Sequence, residues 1–136
     1  MRFIDSNIFV RYITLDDATA SALAAQIISN VLEGKELAFT TDAHIHEVAY
    51  VLASKSLYGL SHIEIRDRLR PLLLMKNLRM TNKQLCLEAL EVFAVHAQLD
   101  FADALAVASM RQKGIAEIYS FDRDFDRVQD IKRVEH

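Results

Sequence analysis

Short apolar runs alternate along the chain with longer stretches of helical periodicity, and this pattern lays out the elements. Arg2-Phe3-Ile4 reads as a strand, followed by Ser6 and Asn7 as N-cap residues for a helix through Val10 and Tyr12. Thr19 to Leu32 predicts a second helix with Leu23, Ala24, Ile27, Ile28 and Val31 on a broad apolar face, ending near Gly34. Leu37-Ala38-Phe39-Thr40 is the next strand. Thr41 or Asp42 then caps a helix to about Ser56, with Ile45, Val48, Ala49 and Leu52 on one side. Tyr50 and Val51 make that helix apolar nearly all round, so it is expected to be covered on both faces, where Glu47 needs a partner or a metal.

Gly59 and Ser61 mark a turn before a helix from His62 to Leu74, in which Pro71 is expected to kink or split the run. A short strand is expected around Leu78-Arg79-Met80 and a helix from Lys83 to His96, with Leu87, Leu90 and Ala94 inward. Asp100 reads as the N-cap of a further helix with Asp103 at its N3 position. Glu117 to Phe121 forms a strand that ends in Asp122. Strands alternating with helices point to an α/β domain with a parallel sheet.

Composition narrows the class. With 136 residues, 51% hydrophobic, and only three glycines and one proline, the chain is expected to be one densely structured domain over residues 1–136. It carries no repeat, low-complexity tract or linker. Cys86 alone cannot form an internal disulfide, which fits a reducing compartment. No stretch approaches the roughly 20 apolar residues that span a bilayer, and no apolar leader opens the chain. A soluble, cytoplasmic protein without a membrane partner is expected.

The net charge is −3, yet with Asp5, Glu47, Asp103 and Asp122 set aside the remainder carries one net positive charge, so the surface need not repel a polyanion. Arg66, Arg68, Arg70, Lys76, Arg79 and Lys83 are opposed within their span only by Asp67. This cluster reads either as a solvated helix face or as a surface that tracks phosphates.

The four acids are the candidate chemistry, because hard divalent cations prefer carboxylate oxygen. Asp5 and Asp122 terminate predicted strands, and in open parallel sheets ligands bind just beyond strand carboxyl ends. Glu47 and Asp103, on helices that follow a strand or loop, are expected at the same rim. Asp100 is accounted for by capping. Competing motifs fail on spacing. Asp122-Arg123-Asp124-Phe125-Asp126 imitates a calcium loop, but Arg127 and Arg133 stand where that loop needs glycine and glutamate. His44 and His46 are too close in sequence to share one helical face. No glycine-rich loop precedes a helix to cradle a nucleotide. A dehalogenase-like phosphatase needs an aspartate where Asn7 stands, and the paired acids of a response regulator are missing.

Phe3-Ile4-Asp5-Ser6-Asn7, Glu47-Val48 with Val51-Leu52, Asp100-Phe101-Ala102-Asp103-Ala104-Leu105, and Ser120-Phe121-Asp122-Arg123-Asp124-Phe125 occur in an order that resembles the PIN-domain ribonucleases, and among them the VapC-like toxins of toxin–antitoxin modules. The resemblance spans the chain. It implies a three-layer α/β/α domain with a central parallel sheet of four to five strands, and a Mg2+- or Mn2+-dependent endoribonuclease site made by Asp5, Glu47, Asp103 and Asp122. Asp5, Asp103 and Asp122 match the main metal ligands, and Glu47 a ligand or water-orienting base. Ser6 and Asn7 match polar positions beside the first aspartate, with Asp100 and Asp124 as secondary candidates. An RNA substrate, a homodimer and a small cognate antitoxin are implied as well. The alternative is a non-catalytic PIN-like module that binds RNA or protein through the same fold.

Overall fold

Capping side chains set most helix starts, and the computed structural model, which describes residues 1–135, shows how. After strand β1 (Arg2–Phe3) comes α1 (Ser6–Thr14), then α2 (Ala18–Leu32), whose N-cap Asp17 accepts from the Ala20 N–H. Strand β2 (Ala38–Phe39) leads through Thr41, which accepts from the His44 N–H, into α3 (Asp42–Ala53). Ser61 and Glu64 form a reciprocal capping box that opens α4 (His62–Leu73). Strand β3 (Leu78–Arg79), α5 (Lys83–Val95) and α6 (Phe101–Lys113) follow. Gly114, at φ 69°, ends α6 in the left-handed conformation that glycine adopts without strain. Strands β4 (Glu117–Tyr119) and β5 (Lys132–Val134) close the chain, separated by a 3-10 turn at Arg123–Arg127.

All strand pairs are parallel. β1, β2 and β3 form one sheet in that order, with Arg2 opposite Ala38 and Ala38 opposite Leu78, while β4 pairs with β5. Where one central sheet of four to five strands was expected, five strands are present, divided between a sheet of three and a sheet of two, and the helices pack around them. β5 had no sequence signal because Lys132-Arg133-Val134 is a charged segment without alternation. It forms because Lys132 N–H and Ser120 N–H bond to the carbonyls of Ala116 and Val134, while Arg133 is clamped by Asp126 at 2.9 Å.

Other expectations are corrected. Asp5, not Ser6 or Asn7, is the N-cap of α1, and its carboxylate accepts from the Ser6 N–H at 2.9 Å. The shorter side chain position is thus already inside the helix, where Ser6 is buried and Asn7 faces solvent. β4 stops at Tyr119, so Asp122 caps the following turn rather than ending a strand. α3 ends at Ala53, and only one of its faces is covered: Glu47 is exposed and Tyr50 is 64% exposed. α4 runs unbroken through Pro71, which sits so near its C-terminus that the next turn still closes with Leu74 N–H on the Arg70 carbonyl.

The core gathers Phe9, Ile45, Leu52, Leu69, Phe93 and Phe101, all essentially inaccessible. Cys86 lies within it, and burial pushes its thiol up to about 11, which makes it inert packing. Among the described residues no helix is long and apolar enough to cross a membrane. No charged side chain is buried there either, and Ser6, Ser21 and Thr40 are the only buried polar residues. Charge is therefore confined to the surface.

Thr40 has a specific task. Its hydroxyl donates to the Ile4 carbonyl at 3.0 Å and its N–H to the Arg79 carbonyl at 3.1 Å, while Ile4 N–H reaches Phe39 at 2.9 Å. These bonds fasten the carboxyl ends of β1, β2 and β3 immediately before Asp5. Thr40→Val should cost about 1–2 kcal/mol, because it leaves a buried carbonyl without its donor while preserving shape. Urea unfolding of the variant measures the loss, and an unchanged midpoint would contradict the role assigned to the hydroxyl.

Candidate active site

Asp103 stands in the first turn of α6, behind its own N-cap. Asp100 accepts from the Asp103 N–H at 2.8 Å, which fixes the two carboxylates about one turn apart on the same helix end. Asp122, arriving from the far side of β4, is fixed by two bonds: its N–H donates to Ser120 Oγ and its carboxylate accepts from the Asp124 N–H, each at 2.9 Å. The Asp124 carbonyl in turn accepts from Gln98 Nε2 at 3.3 Å, tying this turn to the segment that leads into α6.

The electrostatic result is plain. The Asp103 carboxyl is pushed up to about 6, first by partial burial and then by the charges of Asp100 and Asp122. Asp100, Asp103 and Asp122 thus share one field, and among the described residues none of them is ion-paired with a lysine or arginine.

Asp5 belongs to a second group. His44 Nε2 lies 3.4 Å from its carboxylate, and the other ring nitrogen of His44 is 2.6 Å from Thr41 Oγ1. The Phe3 ring meets His44 edge-on at 4.8 Å. The imidazole is held on three sides with one nitrogen toward Asp5. Two residues along α3, His46 Nδ1 accepts from the Ala102 N–H at 3.1 Å, supplying an acceptor to the open N-terminal turn of α6. α3 therefore reaches Asp5 with one histidine and the Asp103 helix with the next. Glu47 follows His46, exposed, with no hydrogen bond or ion pair among the described residues.

The two histidines diverge, as their spacing requires, but sequence reading missed what each one touches. Thr41 was legible as a cap three residues before His44, the spacing that also brings its hydroxyl to the ring. Nothing in the sequence marked His46 as a partner for α6, since that contact spans 56 residues. Asp124 acts through its backbone in the turn, and its side chain has no assigned contact.

Four of the six cations in the basic segment have partners within the fold. Arg66 is paired with Asp67 and Glu91, each at 2.7 Å, and Arg70 also leans on Glu91. Arg68 donates to the Ile13 carbonyl, and Lys83 to the carbonyls of Met75 and Leu78. Lys76 and Arg79 are exposed and have no such partner among the described residues.

Among the described residues no three His, Cys, Asp or Glu side chains form a ready metal-binding group. The donors nevertheless suit a hard divalent cation. They are carboxylates at the surface, they repel one another, and magnesium commonly binds through one or two carboxylates while keeping several waters.

Among solved structures the chain is similar to Mycobacterium tuberculosis VapC20, described as a sarcin-ricin loop cleaving toxin, with 22% identity, 93% of each chain covered and a TM-score of 0.41. A likeness at that score adds nothing about function. No curated protein matches the chain. The model of the PIN domain family matches residues 2–131. With nearly its whole length matched, this chain belongs to the PIN domain family of ribonucleases.

Proposed function

We propose that the protein is a metal-dependent endoribonuclease that acts in the cytoplasm as the toxin of a toxin–antitoxin pair, as a homodimer restrained by a small cognate antitoxin. The observation that carries the catalytic part is the unneutralised field around Asp103, inside a chain matched to the PIN family along nearly its entire length. Asp5, Asp103 and Asp122 are assigned as ligands of Mg2+ or Mn2+, directly or through water, and Glu47 as a ligand or the base that orients the attacking water. When bound, the cation lowers the pKa of water and neutralises charge on the phosphate.

The remaining work falls to side chains. Asp100 keeps Asp103 turned into the first turn of α6, and Ser120 and the Asp124 N–H keep Asp122 from swinging away. His44, braced by Thr41, restrains Asp5. Glu47 is free to approach a water because nothing else holds it. Ser6 and Asn7 act as the first residues of α1, so Ser6 supports Asp5 through its backbone N–H.

Asp103→Asn should reduce cleavage of RNA in Mg2+ or Mn2+ by roughly 100-fold or more, the scale of removing one preorganised electrostatic group from a reaction site. Full activity in this variant, or in Asp5→Asn, would sink the assignment. RNA binding without cleavage by the wild-type protein would fit the non-catalytic module instead. Growth arrest on expression, relieved by Asp103→Asn and by co-expression of a co-purifying small protein, tests the toxin role.

The pH dependence has a definite sign. Because the folded metal-free protein holds the Asp103 proton more tightly than the unfolded chain does, this group favours folding at acid pH, and the advantage is lost as pH rises through about 6. The Tm of metal-free Asp103→Asn should therefore exceed that of wild type by roughly 3 °C at neutral pH, with the gap shrinking near pH ~5. Saturating Mg2+ should remove the gap by stabilising wild type alone. A constant gap across this range, measured by calorimetry, would contradict the crowding of these acids.

A further inference from the structure

A cavity of about 280 Å3 opens between α3 and the segment joining α5 to α6, and Asp100 and Phe101 at the start of α6 line it. It therefore adjoins the acid cluster through Asp100. Its walls are aromatic: Tyr50 projects from α3 with most of its surface exposed, and the rings of His62 and Phe93 stack with centroids 3.7 Å apart and planes within 9°. No lysine or arginine lines it. A phosphate would enter an unfavourable field there, whereas a neutral planar ring would not.

The polar groups at the rim combine the Tyr50 and Ser54 hydroxyls with the acceptors of Asp100 and Gln98. Asp100 accepts from the Asp103 N–H and its side chain also engages the Asp103 carboxyl, but its two oxygens carry lone pairs enough for a further donor. Gln98 spends Nε2 on the Asp124 carbonyl, which leaves Oε1. His62 Nδ1 is engaged with the Phe93 carbonyl. Acceptors beside an aromatic face complement a heterocycle that carries N–H donors on its edge. Single-stranded RNA offers such rings when its bases are splayed out and stacked on aromatic side chains.

We propose that this cavity receives one unpaired nucleobase bearing an exocyclic amino group, from the RNA strand that lies across the acid cluster, and so sets where the strand is cut. Tyr50 supplies the stacking surface, and Asp100 and Gln98 accept from the amino group. This rests on the endoribonuclease reading for the strand's path, but base binding itself needs no metal.

The test is binding of short adenine, cytosine and uracil homopolymer RNAs to the full chain in EDTA, by fluorescence anisotropy, with NMR of the same samples. Wild type should prefer the adenine or cytosine strand over uracil, with shifts at Tyr50, Gln98 and Phe101. Tyr50→Ala should weaken that binding by on the order of tenfold or more, the scale of losing one stacked base, and Tyr50→Trp should retain it. Tyr50 is exposed, so circular dichroism should report an unchanged fold. Equal binding by Tyr50→Ala, no base preference, or shifts confined to residues outside the cavity would overturn the proposal, including the case in which a protein segment is the true occupant. Tyr50-dependent binding with no cleavage in Mg2+ or Mn2+ would leave the base site standing and remove the nuclease reading. Normal cleavage with no Tyr50-dependent preference would do the reverse.

Discussion

Repulsion among carboxylates at the start of α6 is the constraint around which the rim of this protein is built. Asp103 is partly buried and faces the charges of Asp100 and Asp122, so its ionised form is costly at neutral pH. Such an arrangement persists only where the backbone leaves the side chains little freedom to separate. Here the freedom is removed by short bonds: Asp100 to the Asp103 N–H, Asp122 to the Asp124 N–H, and Ser120 to the Asp122 N–H. Asp100 and Asp122 are each held by a local capping or turn bond, and the partly buried Asp103 lies in the field of both.

The scaffold permits this because its interior is almost free of polar demands. No charged residue is buried among those described, and the buried hydroxyls of Ser21 and Thr40 are spent on backbone carbonyls. Thr40 is the example that bears on the site, since it locks the strand ends from which Asp5 emerges. α3 then ties the parts together. Its N-cap Thr41 orients His44 toward Asp5, and His46 holds the first turn of α6. One helix thus touches both acid groups while presenting Glu47 to solvent between them in sequence.

Much of this was legible in the sequence. The starts of α3 and α6 followed from Thr41 and Asp100, whose side chains can satisfy open N–H groups through local bonds, whereas the caps Asp17 and Ser61 emerged only in the fold. The parallel arrangement followed from the alternation of elements, and the four acids stood out by type and position. What failed did so for physical reasons. Capping of α1 went to Asp5 because a carboxylate competes well for the first free N–H groups, which moved Ser6 and Asn7 into the helix. The exposure of Glu47 and Tyr50 depends on which side of α3 its neighbours cover, and the helix's own apolar pattern could not decide that. Within the basic segment, Arg66 is engaged by Glu91 and Arg68 by the Ile13 carbonyl, contacts 25 and 55 residues apart that no local spacing announces.

The site proposed for divalent metal joins Asp5 to the Asp103 and Asp122 group. Its most direct test is paramagnetic broadening of side-chain and backbone NMR signals as Mn2+ is added in substoichiometric amounts to the metal-free protein. Broadening should begin together at Asp5, Asp103 and Asp122, reach Glu47, and leave the Asp67 and Glu91 region of α4 and α5 sharp. Broadening centred elsewhere, or at Asp103 without Asp5, would contradict it.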